Sequence, residues 1–414
     1  MIRTHLLPCQ LPREQADRLN AESGRIYARV LINHYRVYRR TGHWLSVWDA
    51  TKLDNLAIRD EPRLLHAHSL DAAQQAFYKA CSTARANRGQ GARYPARRPK
   101  YRTTIWKNTG VRRTPGGLWL SLARGQAPIR VNLPGSFPDG RIVEARLVYD
   151  RVGRRYEWHL VVDDEREPPA PSGTNVAALD LGEVHPVAAA DGQESVVFSC
   201  RELRAVKQWG HKRRAELQRM QSSKTRGSRA WRKLQRRKVR FSAQQERRRR
   251  DIEHKVSRAV VNWALERKVG TLAIGDVRDV GSGKRMASKN QQKVSSWAHG
   301  NMRRYVGYKA ASEGIAVELV EEHYSSQTCP ACGPRHKPMG RVFRCSACGF
   351  VGHRDGQVGA VNLLSRRVCG DVGKLRPPGT FKYRHPVLRG KRSRPDTGQR
   401  DGQCPAVAWE GRHA

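Results

Sequence analysis

Four cysteines and two aspartates are the residues of this chain best spaced to do chemistry. Cys329 and Cys332 form one C-x-x-C pair, Cys345 and Cys348 a second, with twelve residues between the pairs. Each pair lets two thiolates of one tight turn point at a single centre. Four sulfurs are the ligand number that a structural Zn²⁺ takes. Pro330, Gly333 and Gly349 suit the turns of such knuckles. Asp355 follows seven positions after Cys348, and Asp180 stands in the apolar run NVAALDLG. A carboxylate on a buried strand is costly unless it is paired, so Asp180 reads as a metal ligand or a satisfied structural group. Hard divalent cations want oxygen ligands. Phosphodiester hydrolysis by two Mg²⁺ about 4 Å apart needs a cluster of carboxylates, one ion activating water and the other stabilising the leaving oxygen.

The elements that must position these groups follow from pattern. NVAALDLGEVHPVAAADGQESVVFS reads as three strands with tight turns, TLAIGD and GIAVELVEEH as two further strands, and GQVGAVNLLSRR as a last helix. Asp276 closes TLAIGD, and Glu321 and Glu322 close GIAVELVEEH. Three strands in a row, a helix with a large insert, then strand, helix, strand, helix is the order of a ribonuclease-H-like α/β domain. The insert, Arg201 to Arg250, holds 20 Lys and Arg against 3 Asp and Glu and reads as basic helix. Helix continues through DIEHKVSRAVVNWALERK, with Ile252, Val256, Val260 and Trp263 as core stripe and Gly270 as its cap. Residues 280–300 read as a mobile loop leading to a helix.

Upstream, Ile2, Leu6 and Leu7 suit a short strand, and ADRLNAESGRIYARVLINHYRVYRRTG suits a helix capped at Gly42. Ser46 or Asp49 starts a second helix, and a third runs from about Ser69 to Thr83. RGQGARYPARRPKYRTTIWKN interleaves basic and aromatic residues, a pattern in which cations meet phosphates and rings stack on bases. Tyr94, Arg97, Arg98, Lys100 and Tyr101 are its nucleic-acid candidates. Alternating segments up to VVDD predict antiparallel strands, closed as a small barrel. EREPPAPSGTN, residues 165–175, is a linker, and residues 369–414 carry Gly, Pro and Arg without periodicity, predicting a mostly disordered tail.

Composition narrows the function. The 414 residues carry 79 Lys and Arg against 37 Asp and Glu, a formal charge of +42. Such a chain repels itself unless it meets a polyanion, and nucleic acid is the obvious one. No apolar run is long enough to span a bilayer, and MIRTHLLPCQLPREQ lacks the apolar stretch of a signal peptide. Nine cysteines, four of them paired as C-x-x-C, fit a reducing compartment. Both point to a cytoplasmic, nucleoid-associated prokaryotic protein.

The set DLG at 180–182, YSSQTCPACG at 324–333, FRCSACG at 343–349 and HRDGQVGAVN at 353–362 resembles the TnpB family of transposon-encoded RNA-guided nucleases. It is equally similar to the miniature type V CRISPR effectors related to them. The match is specific over about 175–365, with a weaker likeness in GRIYARVLINHYRVYRRTGHWLS and RYPARRPKY. The resemblance implies a wedge β-barrel (1–10 and 88–168) with inserted recognition helices (11–87). A RuvC nuclease domain follows (169–328, basic insert 201–268), then a zinc ribbon for target nucleic acid (329–348) and a last RuvC segment (349–368). It implies guide RNA and double-stranded target DNA as partners, a short flanking DNA motif, a monomer with one RNA, two catalytic Mg²⁺ and one structural Zn²⁺. Arg232, Lys233, Arg236, Arg237, Arg344 and Arg354 join the nucleic-acid candidates.

Two departures stand out. The family's usual I-E-D-L after the fourth strand reads Ile274-Gly275-Asp276-Val277, so the Glu slot holds glycine. Glu322 is expected to supply the missing carboxylate, with Glu321 and Asp276 as substitutes, which makes the expected catalytic set Asp180, Glu322 and Asp355. The last motif is also one residue longer between Asp355 and Gly359 than in many members. If the Glu slot is truly empty, the alternative is an RNA-guided DNA-binding protein without cleavage, repressor-like, or a transposition-associated accessory protein.

Overall fold

The computed structural model describes residues 1–386 except 58–60, 172, 278–290, 293, 295, 296, 298 and 339. They fall into two units that divide between Glu167 and Pro168. The expected loop at 280–300 lies mostly outside the described residues.

The first unit is a helical layer on two small antiparallel sheets. Strand β1 is Ile2–Pro8. Helices α1 (Arg13–Thr41), α2 (Val47–Ala57) and α3 (Ala67–Ala86) follow. Strands β2 (Thr104–Lys107), β3 (Val111–Thr114), β4 (Gly117–Leu120), β5 (Ile129–Asn132), β6 (Arg141–Asp150) and β7 (Arg155–Asp163) complete the unit. α1 stops at Gly42, whose φ of 70° suits a residue without a Cβ and whose N–H returns to Tyr38 O. α2 begins one residue after Ser46, whose hydroxyl accepts the Asp49 N–H at 3.2 Å.

The expected barrel is two sheets, β1-β7-β6-β2 and β3-β4-β5. The 3₁₀ turn Asn108–Gly110 takes the chain out of one and into the other. No backbone ladder joins them among the described residues. They share one core, with Trp106, Leu147, Trp158 and Leu160 from the first sheet, Leu118, Leu120 and Ile129 from the second, and Leu19 and Ile26 from α1. Buried Asn20 ties α1 to this core by accepting from the Thr104 N–H at 3.0 Å and donating to Leu147 O at 3.2 Å.

The second unit is a mixed α/β layer. Its strands are β8 (Asn175–Asp180), β9 (Val187–Ala190), β10 (Glu194–Phe198), β11 (Val269–Asp276) and β12 (Ala316–Glu321). Helices α4 (Arg201–Ser222) and α5 (Arg229–Glu266) lie between β10 and β11, and α6 (His299–Ala311) precedes β12. Then come the short hairpin β13 (Val342–Arg344) and β14 (Val351–His353), helix α7 (Val361–Cys369) and strand β15 (Thr380–Arg384). The sheet order is β12-β11-β8-β9-β10-β15, with β8, β9 and β10 antiparallel in series. β11 is parallel to β8 and β12 is parallel to β11. The α5 stripe expected from its periodicity, Ile252, Val256, Val260 and Trp263, is buried against the apolar face of this sheet.

Two expectations are corrected here. α5 ends at Glu266, and the left-handed residue after it is Lys268 at φ 52°, so Gly270 is no cap. Gly270 lies within β11, where a Cβ would overlap the carbonyl of Gly173. Second, the region after 369 contains β15, paired in parallel with β10 from Glu194↔Thr380 to Phe198↔Arg384. Five residues satisfied by a sheet edge carry too little pattern to be seen against a Gly/Pro-rich background. Residues 387–414 lie outside the described residues. No helix among the described residues is long and apolar enough to cross a membrane.

Candidate active site

Register brings the strand-end carboxylates together. Leu179 of β8 pairs with Ile274 of β11, and Asp276 of β11 pairs with Glu321 of β12. Asp180, Asp276, Glu321 and Glu322 therefore end three neighbouring parallel strands at one edge. From the other side comes Asp355, in a π turn spanning Arg354–Ala360. A π turn is how a helix start absorbs one added residue, often at functional sites. That fits the longer spacing of the motif and leaves Asp355 at the sheet. The turn passes so close to β8 that a Cβ on Gly359 would overlap Asp180 Oδ2 and lie 3.2 Å from its Cγ.

Glu322 fills the space left at Gly275. A Cβ on Gly275 would lie 2.7 Å from Glu322 Cγ and 2.8 Å from its Cδ. The two positions cannot both carry a long side chain. Glu322 Oε1 is buried and has no hydrogen-bond partner among the described residues, a costly state for a carboxylate unless something positive comes to it. Burial, then the charge of Asp276, pushes the Glu322 carboxyl up to about 7. Asp180 is raised well above the usual carboxylate range, first by burial and then by Glu322 and Asp355. A buried Asp180 raised by the charges of Glu322 and Asp355, with the orphaned Glu322 oxygen beside it, belongs to an oxygen donor set whose chemistry fits hard divalent cations.

The two substitutes sit differently. Glu321 is 65 % exposed and pairs with His323 and, at 3.5 Å, with Arg366. Asp276 faces Arg303 at 3.7 Å. Asp355 is buried, with Oδ2 taken by Arg341 at 2.6 Å and Oδ1 by Arg354 Nε at 3.1 Å. Arg354, a nucleic-acid candidate by sequence, thus sits on the carboxylate. Arg341 had no signal in so basic a chain. Asn362 was also missed as a positioning group, although an Asn in the apolar helix GAVNLLS is itself a cue. Its side chain is fully buried and donates to Ser325 O (2.7 Å) and Thr328 O (2.8 Å), pinning the loop that follows Glu322.

His185 and His353 approach Asp355, with one ligand atom of each within 4.8 Å of the others. His353 Nδ1, however, accepts the Gly356 N–H at 3.2 Å. The ring proton then sits on Nε2, and no lone pair of His353 is left for a metal. His353 thereby caps the turn, and the His185 ring packs against it at 5.4 Å.

The four cysteines converge as their spacing implies. Cys329 and Cys348 Sγ are 3.7 Å apart, Cys332 and Cys345 Sγ 3.5 Å, and all four sulfurs lie within 4.8 Å of one another. Four sulfurs at about 2.3 Å from one ion form a tetrahedron with edges of about 3.8 Å. The cluster therefore fits Zn²⁺. Phe343 is buried beneath it.

The basic candidates are distributed over both units. Arg97, Arg98, Lys100 and Tyr101 are exposed in the first, whereas Tyr94 is half-buried and packs on Trp44 at 5.1 Å. Arg232, Lys233, Arg236 and Arg237 share an exposed face of α5, and Arg344 is exposed on β13.

A mixed α/β layer with carboxylates gathered at one sheet edge is followed by a four-cysteine knuckle, and comparison with known proteins finds likenesses to both parts. A family model described as a probable transposase matches residues 159–281, and one for the Cas12f1-like TNB domain matches residues 299–363. A TnpB-like protein of Methanocaldococcus jannaschii is 31% identical over 140 residues, 33% of this chain and 49% of that protein. The putative RNA-guided DNA endonuclease InsQ of Escherichia coli K12 is 31% identical over 233 residues, 52% of this chain and 56% of that protein. The matched stretches thus span 49% and 56% of these two relatives. A cryo-EM structure of a Cas12f1–sgRNA–target DNA complex aligns with a TM-score of 0.59 at 14% identity, over 85% of this chain and 83% of that one, a likeness of fold. Over these stretches the chain is similar to TnpB-like and Cas12f1-like proteins, the resemblance its motifs carry.

Proposed function

We propose that this chain is an RNA-guided DNA endonuclease whose cutting centre is Asp180, Glu322 and Asp355. The observation that carries this is the buried, unpartnered Glu322 Oε1, set beside Asp180 in the space left by Gly275. The three carboxylates would hold two Mg²⁺, which when bound supply an activated water and stabilise the leaving oxygen. The chain's own part is to keep three oxygen donors ionisable, dry and convergent. Arg341 and Arg354 hold the Asp355 carboxylate in its turn, and Asn362 holds the loop behind Glu322. The relatives' names, and the complex with guide RNA and target DNA, support the same reading.

In this reading the sheet of the second unit is a ribonuclease-H-like RuvC domain, with α4 and α5 its basic insert. The first unit is the wedge and recognition part, its two sheets a split version of the expected barrel. Cys329, Cys332, Cys345 and Cys348 hold one Zn²⁺ and make the 329–348 ribbon a platform for target nucleic acid. Base pairing by the guide selects the sequence, and the protein reads a short flanking motif on duplex DNA. The chain acts as a monomer with one RNA in a prokaryotic cytoplasm, at the nucleoid.

One observation favours the second reading, binding without cleavage. Both oxygens of Asp355 are engaged by arginines, which compete with a cation for them. Plasmid cleavage with guide RNA and Mg²⁺ separates the two. Wild type cuts, whereas Asp180→Asn and Glu322→Gln lose at least about a hundredfold in rate and Glu321→Gln cuts normally. Normal cutting by Glu322→Gln removes Glu322 from the centre, and an inert wild type supports the repressor-like reading.

A further inference from the structure

Strand β15 lies beyond residue 363, where the second family match ends. Its side chains nonetheless build one wall of the Asp355 turn. The Phe381 ring packs directly on the residue after Asp355: a Cβ on Gly356 would lie 2.8 Å from Phe381 Cε2 and 3.0 Å from Val197 Cγ2. Phe381 also stacks on His353, with centroids 5.3 Å apart and planes at 23°. His353 in turn caps the Gly356 N–H. Tyr383, two residues on and so on the same face of the strand, sets its edge against Phe381 at 5.1 Å and against His353 at 5.8 Å.

The strand that carries these rings is itself fastened. Lys382 Nζ pairs at 2.6 Å with Glu194, a buried carboxylate that also accepts from Trp263 Nε1 at 3.0 Å. Arg384 pairs with Glu266 at 2.8 Å, and its carbonyl accepts the Ser199 N–H at 2.8 Å.

We propose that β15 is a strap, with Phe381 the positioning residue, that holds the Asp355 turn in the geometry the cutting centre needs. The proposal rests on the nuclease reading for its consequence, not for its contacts. Phe381 acts through the His353 cap and the Gly356 backbone, and a displacement of about 1 Å in such a turn can cost about a hundredfold in rate.

The test pairs Phe381→Ala with the ring-conserving Phe381→Tyr, in the full chain. Three quantities are read: amide hydrogen exchange at Gly356, the maximal cleavage rate with guide RNA and Mg²⁺, and the dissociation constant for guide RNA. Phe381→Ala is expected to speed Gly356 exchange and lower the cleavage rate, each by about tenfold or more, with RNA affinity unchanged within about twofold. Phe381→Tyr is expected to recover both. Should Phe381→Ala fail to fold, Lys382→Glu loosens the strand from Glu194 with the ring intact, and Gly356 exchange must rise in it too. Unchanged exchange at Gly356 in whichever variant folds overturns the strap. An equal loss of rate in Phe381→Ala and Phe381→Tyr, with RNA affinity lost as well, overturns positioning in favour of a general folding role. If wild type does not cut, the nuclease reading fails, while the exchange at Gly356 still decides the strap.

Discussion

Glu322 is the residue on which the site turns. Its carboxylate and a side chain at 275 compete for the same space, so glycine there is the steric condition for a glutamate at 322. Gly275→Glu in the wild-type background is expected to abolish cleavage by crowding Glu322. The exchange Gly275→Glu with Glu322→Gly restores part of it, and a plasmid-nicking time course distinguishes the two. The pH dependence follows from the carboxyl pushed up to about 7. Between the ordinary carboxylate range and pH 7 the folded chain keeps a proton that the unfolded chain has released, so metal-free stability falls as pH rises through that window. A divalent ion needs the group ionised. Mn²⁺ affinity is therefore expected to rise with pH, by about tenfold per unit for each proton released, and to level off above about 7. Calorimetric titration in buffers of different ionisation enthalpy counts the proton. The placing of Asp180 and Asp355 beside each other at the sheet was legible in the sequence because each sits in a motif. Glu322 was legible only as a strand-end acid opposite an empty slot, and Arg341 was lost in the surrounding excess of Arg.

At the scale of elements, the four-cysteine knuckle is a small unit with little core of its own beyond Phe343 and its neighbours. A metal ion bound there would supply folding energy. Cys345→Ser is expected to reduce zinc from about one ion per chain to near none, and to expose 329–348 to proteolysis while the sheet keeps its transition. Metal analysis with limited proteolysis checks both. The cysteine spacing, α1, α3 and strands β8 to β12 were legible because periodicity and ligand spacing are local signals. The barrel was not. Whether seven short strands close on one another depends on where a 3₁₀ turn such as Asn108–Gly110 breaks the ladder, and nothing local marks that. β15 was missed for the same reason: a five-residue strand held by a partner nearly two hundred positions away leaves no pattern of its own.

For the whole molecule the dominant quantity is charge. A chain at +42 is expected to bind RNA with an affinity that falls steeply with salt, losing about 0.7 units of log–log slope for each phosphate contact removed on single strands. Replacing Arg232, Lys233, Arg236 and Arg237 with Gln is expected to flatten that slope by about 3 units if this face of α5 holds RNA, measured by filter binding between about 50 and 300 mM salt. An unchanged slope moves the RNA to another face. Where divalent ions sit decides whether these carboxylates form one centre. The direct measurement is an anomalous-scattering map of the chain with Mn²⁺. The expected result is density within about 2.1 Å of carboxylate oxygens of Asp180, Glu322 and Asp355, absent in Glu322→Gln. Ions bound at Glu321 or Asp276 alone, or none at the edge shared by β8, β11 and β12, contradict it.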